Sequence, residues 1–307
     1  ITKIQYFSIT IAIIGIALIV ARYFFQRQSG KSHYLSTARL GRGHGIIFGK
    51  ARTGAVEYYS PCNAEGSCFI CGTSGTGKTS ALLIPTLRSW EGTSLTIDIS
   101  GDISSNVDCP NKLIYNPEDP HTLPYNIFAP IDSLTSTADQ NEALTNLAYL
   151  LMPDTPNASA NAKYFQDGGR EMLIGSLIAF YHKNVDFCDI CEQILGSNYH
   201  SLLGSIDQTR DTMAIYHINQ FEGNSEQNSQ GCKQNLDNSI MLFVTNERVR
   251  RSIRRPKSPE EPYFSPKTIE DHNVFVCIPD IKLKVYAPLL RIISAQSLDY
   301  FASRPNG

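Results

Sequence analysis

A glycine-rich loop constrains this chain more than any other feature of its 307 residues. Gly72, Thr73, Ser74, Gly75, Thr76, Gly77, Lys78 and Thr79 spell Gly-x4-Gly-Lys-Thr, with an additional glycine inside the loop. An apolar run at residues 67–71 precedes it and a helical pattern over residues 78–90 follows. The sequence therefore predicts strand, loop and helix in the order a phosphate-binding P-loop requires. Glycines let backbone N–H groups converge on an anion, and the helix N-terminus adds a favourable dipole. This pattern assigns Gly72 through Ser80 to the phosphates of ATP, Lys78 to neutralising β- and γ-phosphate charge, and Thr79 to ligating Mg²⁺.

The surroundings extend the reading. Residues 93–99 read as a second buried strand and residues 112–115 as a third, so the P-loop opens a βαβ unit with a parallel sheet. Asp98 stands at the carboxyl end of the second strand, where open α/β sheets place their ligands. It is the candidate acid on the metal side and, with Lys78, the candidate catalytic pair. Capping a turn or helix is the alternative for Asp98, and the better account of Asp102. Residues 37–60 suggest two short strands joined by a turn at residues 52–54.

From residue 131 to 255 the pattern changes to long helical periodicities at 139–152, 160–182, 201–221 and 236–249, with no convincing strand. The polar tract 222–235 reads as a loop and the proline-bearing stretch 256–266 as an irregular return. Residues 273–278 are strand-like again and 285–301 helical. The organisation expected is a membrane segment with a basic flank (1–28), the first part of a nucleotide domain (29–130), an all-α insertion (131–268) and a return to the nucleotide domain (269–307).

Residues 4–21 form an uncharged apolar run at the short end of what spans a bilayer. Tyr6 and Phe7 flank one end and Tyr23, Phe24 and Phe25 the other, with Arg22, Arg27 and Lys31 beyond, which places the rest of the chain on the cytoplasmic side. A signal peptide would show a small-residue cleavage site after the run, and a buried helix would show a polar face; neither is present. The chain starts at Ile1 and ends in a Pro-Asn-Gly turn, as a piece of a longer protein would.

Charged residues are only 18 % and the net charge is −2, so any nucleic-acid contact has to come from a local patch. Arg248, Arg250, Arg251, Arg254, Arg255 and Lys257 make one such patch. It could supply several phosphate contacts; a helix ending at Pro256, whose last turn favours cations, is the plainer account. Eight cysteines are too few for a disulfide scaffold. Cys68/Cys71 and Cys188/Cys191 have zinc-ligand spacing, but on a strand the first pair would point to opposite faces, and core thiols are the expectation.

With these segments in order, the chain resembles the TraG-type coupling proteins of type IV secretion and conjugation over roughly residues 33–307. The resemblance rests on GIIFGK, GTSGTGKTSALLIPTL, SLTIDISGDI, YNPEDPHTLPYNIFAPI and VFVCIPDIKLKVYAPLLRIISAQSLDYF. It implies a RecA-like P-loop NTPase domain interrupted by an all-α domain, with an N-terminal transmembrane helix in the bacterial inner membrane. It further implies an ATP- and Mg²⁺-dependent hexamer that passes single-stranded DNA and relaxase-type protein substrates to the type IV secretion channel. Ser100 and Asp102 depart from the lysine and glutamate usual in that family's motif, so only Asp98 carries over. The family's Walker B carboxylates are expected shortly after residue 307, and the chain as given is expected to bind ATP without turning it over. A different RecA-like translocase, related to FtsK or HerA, and a nucleotide-binding adaptor without motor activity are the alternatives.

Overall fold

The structure, a computed structural model, describes residues 45–50, 57–59 and 66–303. The apolar run at residues 4–21 and the expected turn at 52–54 lie outside them. Two compact units emerge: the described residues up to Gly92 together with Ser105–Cys109, and Thr93–Ser104 together with the described residues from Pro110 onward.

In the first unit, β1 (Ile47–Lys50) pairs antiparallel with β2 (Glu57–Tyr59) through a bulge. The buried Ile47 donates its N–H to Thr86 Oγ1 at 3.0 Å. After the glycine-rich loop the chain is π-helical over Lys78–Leu83 and then α-helical in α1 (Ile84–Ser89). Pro85 accounts for the change of pitch, because it has no N–H for the carbonyl four residues back. The turn ahead widens, and Ile84 N–H reaches Thr79 O instead. Arg88 clasps the Asn106 carbonyl with two hydrogen bonds of 3.0 and 2.6 Å.

Residues 67–71, expected as a strand, are irregular, and Phe69 is 91 % exposed. A strand needs a neighbour for its N–H and C=O groups, and among the described residues none pairs with this segment. Apolar composition alone supplies no such partner. Cys68 and Cys71 are accordingly exposed, which corrects their expected place in the core.

The second unit is built on a parallel sheet in the order β3 (Ser94–Asp98), β5 (Asn273–Cys277), β4 (Lys112–Tyr115). β5 is all apolar after Asn273 and buried throughout, as a strand with a neighbour on each side should be. β3 lies at an edge of this sheet and leaves Ile97 44 % exposed, so it is less buried than its composition suggests.

Between β4 and β5 run α2's successors, after the short α2 (Asp102–Asn106): α3 (Ala129–Asp132), α4 (Thr137–Leu151), α5 (Ala160–Tyr181), α6 (Phe187–Gly196), α7 (Tyr199–Gln208), α8 (Thr212–Ile218), α9 (Glu226–Thr245) and α10 (Glu247–Ser252). α11 (Leu283–Ala302) follows β5. Side chains from the sheet, such as Tyr115 and Val276, share one contiguous core with Leu144, Leu173, Ile190 and Phe243 from the helices.

The chain leaves for the helices and comes back at one place. Tyr125 forms parallel bridges with both Ile253 and Phe264, and the rings of Tyr115, Tyr125 and Phe264 pack with centroids 5.0 to 6.4 Å apart. Tyr115 Oη donates to Ser252 and Tyr125 Oη to Gln296 Oε1, at 2.6 Å in the second case. Buried phenols keep partners here, as buried polar groups must.

Two helical boundaries differ from expectation. The stretch 201–221 is not one helix: it breaks at Arg210, which takes a left-handed φ of 57°, and Asp211 recaps the chain by accepting from Met213 and Ala214 N–H, both at 3.0 Å. The tract 222–235, read as a loop, is helical from Glu226 because Ser229, Cys232, Leu236, Ile240 and Phe243 bury one face.

Candidate nucleotide-binding site

The loop geometry follows from its glycines. Gly75 and Gly77 have φ of 78° and 86°, a region that strains residues with a Cβ, and they fold the loop back over the start of the helix. At Gly72 a Cβ would stand 2.9 Å from Thr76 Oγ1, so a larger residue would have to displace that hydroxyl from its bond to Thr73 O. Thr76 Oγ1 donates to Thr73 O at 2.8 Å and Ala81 N–H to Gly77 O at 2.7 Å. A cleft of about 380 Å³ results, lined by Cys71, Gly72, Thr76, Gly77, Lys78 and Leu82 among others.

Lys78 curls into the loop, its Nζ donating to Gly72 O at 2.7 Å and Thr73 O at 2.8 Å. The helix it opens has no side-chain cap and no acidic residue in its first turn. Its leading N–H groups thus keep their affinity for an anion. Residues Gly72 to Ser80 are brought together by this one loop and turn. The donor set, backbone amides at glycine positions with one ammonium and the Thr79 hydroxyl, fits a polyphosphate with its magnesium ion.

Asp98 is in the second unit, at the end of β3, and 1 % exposed. Its Oδ1 accepts from Gly101 N–H at 2.9 Å and Ser100 Oγ at 3.3 Å, and its Oδ2 from Ser104 N–H at 2.7 Å. The carboxylate therefore holds the turn into α2. Gly101 supplies the left-handed φ of 76° that the turn needs. Asp102 begins α2, its N–H donating to Ser100 Oγ at 3.2 Å.

Four of the cluster's six basic residues, Arg248, Arg250, Arg254 and Arg255, have acidic partners. Arg250 pairs with Asp189 at 3.0 Å and Glu192 at 2.5 Å, and Arg255 pairs with Asp132 at 2.9 Å while lying over the Phe128 ring. Arg254 pairs with Glu261, whose carboxyl its hydrogen bond holds at about 2. Arg248 pairs with Glu118. These ion pairs favour a structural role for the four arginines over a phosphate-binding patch, but the helix ends at Ser252 and not at Pro256, so Arg254 and Arg255 lie beyond its last turn.

Glu118 is the residue that sequence reasoning missed. Besides Arg248 on α10 it accepts from Lys282 Nζ at 2.6 Å and from Tyr286 Oη on α11. Burial alone would raise its carboxyl, but the hydrogen bonds from Lys282 and Tyr286 and the nearby positive charges outweigh it and hold it below the usual range. Burial and the bond to Glu118 push the Tyr286 phenol up to about 12. One carboxylate thus joins the end of the helical insertion to the helix that follows β5. Cys188 and Cys191 sit on one buried face of α6, their thiols pushed up by burial. No cluster with metal-ligand composition occurs among the described residues.

A glycine-rich P-loop opening a helix, together with a parallel sheet and helices, defines a RecA-like NTPase fold. Residues 53–255 match the model of the type IV secretion-system coupling protein DNA-binding domain, and the chain belongs to that family. Among solved structures it is similar to the bacterial conjugative coupling protein TrwBdeltaN70 in an unbound form, with TM-score 0.57 and 16 % identity over 76 % of this chain and 51 % of that one. It is also similar to the plasmid coupling protein TrwB with the GTP analogue GDPNP (TM-score 0.55, 16 %, 77 % and 52 %). The third is TrwB with ADP and Mg²⁺ (TM-score 0.53, 18 %, 76 % and 52 %). The chain spans about half the length of these structures. No curated protein sequence matches it.

Proposed function

We propose that this chain is the nucleotide-binding part of a membrane-anchored coupling ATPase, which uses ATP to recruit DNA and DNA-linked protein and pass them to a type IV secretion channel. The observation that carries the reading is the P-loop with its helix N-terminus uncapped, in a chain of the coupling-protein family. The nucleotide with its magnesium supplies the phosphoryl group and the charge the loop is built to hold. With nucleotide bound, Lys78 would exchange the Gly72 and Thr73 carbonyls for the phosphates, the amides of the loop would orient them, and the Thr79 hydroxyl would hold the metal. Asp98, whose oxygens are engaged by Gly101 and Ser104, is assigned to setting the turn after β3. TrwB structures with an ATP analogue and with ADP and Mg²⁺ support ATP as the ligand. The apolar run at residues 4–21 supports attachment to the inner membrane with the remainder cytoplasmic, and the resemblance supports assembly as a hexamer.

Calorimetric titration with MgATP tests the reading. Lys78→Ala should lower affinity by at least about 100-fold, the loss of a charge-assisted contact to phosphate, while unfolding at the unaltered temperature. Undiminished affinity in the folded variant would overturn the assignment.

A further inference from the structure

Burial divides the thiols of this chain into two sets. Cys188, Cys191, Cys232 and Cys277 are buried, and burial pushes each of them up, away from the thiolate form that does redox chemistry. Among the described residues Cys68 and Cys71 are the exposed thiols. They have the Cys-x-x-Cys spacing of dithiol redox pairs. Between them stands Phe69, 91 % exposed, in irregular backbone that pairs with no strand among the described residues.

Position gives this pair something to control. Cys71 lines the P-loop cleft together with Lys78, and the next residue, Gly72, accepts from Lys78 Nζ at 2.7 Å. Residues 67–73 contain no turn. Three residues of extended chain span about 10 Å, whereas a disulfide needs Cα atoms about 4.4–6.8 Å apart. Closing the bridge therefore turns the chain at Phe69 and Ile70 and shortens it by roughly 3 Å or more. No strand pairing among the described residues resists that turn. The contraction pulls on Gly72, and with it on the carbonyl that seats Lys78 and on the first amides of the loop. A binding constellation tolerates only about 0.5 Å of displacement, so the bridged loop no longer fits a polyphosphate.

We propose that Cys68 and Cys71 form a reversible thiol–disulfide site, which a small-molecule disulfide oxidises and which switches nucleotide binding off in its oxidised form. The thiolate of one cysteine attacks a sulfur of the oxidant and expels one small thiolate; the other cysteine then attacks the mixed disulfide and expels the second. One S–S bond forms in the chain as one breaks in the oxidant. Two electrons pass to the oxidant, and the two cysteine protons leave on the two small thiols. In a reducing compartment the pair rests as thiols, the form that binds nucleotide. The inference rests on the reading of the loop as a nucleotide site and adds its regulation.

The test titrates the whole chain with MgATP by calorimetry, first reduced with dithiothreitol and then after oxidation with diamide, a diazene that takes the same two electrons and two protons to become a hydrazine. Oxidation should lower affinity at least about tenfold, and dithiothreitol should restore it. By linkage, saturating MgATP should raise the reduction potential of the pair by about 30 mV for each tenfold of that loss. Cys68→Ser, at a position that does not line the cleft, should bind MgATP as the parent does and show no response to diamide. Cutting the unreduced protein after Glu65 and Phe69 should leave the fragments with Cys68 and Cys71 joined and the fragment with Cys62 free. Unchanged affinity after oxidation, a diamide response that persists in Cys68→Ser, a potential indifferent to MgATP, or a bridge to Cys62 would each overturn the proposal. MgATP binding that oxidation leaves intact defeats the switch alone. No MgATP binding by the reduced parent defeats the nucleotide reading, and the switch with it.

Discussion

Removing the Asp98 carboxylate strips the Gly101 and Ser104 amides of their acceptor in a place water does not reach. Unsatisfied buried groups cost about 1–3 kcal/mol each, so Asp98→Ala should destabilise the nucleotide-free chain by about 3 kcal/mol and Asp98→Asn, which keeps one acceptor oxygen, by about half. Urea unfolding checks this; an Asp98→Ala chain as stable as the parent would mean that the residue serves ligand alone. Glu261 gives a pH-dependent counterpart. Its carboxyl is held at about 2 in the folded chain by Arg254, against an ordinary value of 4.5. A lowered carboxyl contributes stability above the ordinary value and loses it as pH falls toward the folded one. Glu261→Gln should therefore melt at a lower temperature than the parent at pH 7, with the two melting temperatures converging between pH 4.5 and 2. A gap that stays constant over that window would contradict the assignment.

α5 crosses α9 where α5 can carry no side chain. A Cβ on Gly169 would stand 2.7 Å from Cys232 O and 3.2 Å from Leu236 N, which are backbone atoms and cannot swing aside. Gly169→Ala should force the helices apart and cost about 1–3 kcal/mol despite alanine's higher helix propensity. Gly204→Ala on α7, where a Cβ meets nothing within 4 Å, should instead gain about 0.5–1 kcal/mol; thermal melts of the pair separate packing from propensity. The same elements show what was legible beforehand. α5 was read almost to the residue because its apolar positions recur over six turns, and the P-loop because all its parts are contiguous. The first half of α9 was lost to its amides, although Cys232, Leu236, Ile240 and Phe243 keep helical spacing. α6 is not among the expected helices, although Phe187, Cys188, Ile190, Cys191 and Ile194 recur at helical spacing and bury one face. The Glu118 junction had no sequence signal of its own: its partners lie 130 to 168 residues away, though all but Arg248 fall in segments that carried the family resemblance.

For the whole molecule, the apolar run at residues 4–21 bears on where the protein works. Among the described residues no helix is long and apolar enough to cross a membrane, so deleting residues 1–28 should move the chain from membranes to the soluble fraction. Retention in carbonate-washed membranes would point to a second anchor. The sheet has its own consequence for how such a protein is made. Among the three described strands of this sheet β5 is central yet made after both its neighbours, roughly 160 residues after β4, which is about 10–30 s of translation. Until it emerges, β3 and β4 have no strand between them, and their open edges and the apolar side chains of Ile97 and Ile114 are available to other nascent chains. The helices made in that interval rest on mostly local contacts and can form without waiting. The insertion thus serves as a timer as well as a domain: it sets how long a chaperone must shield two unpaired strands before the nucleotide fold can close.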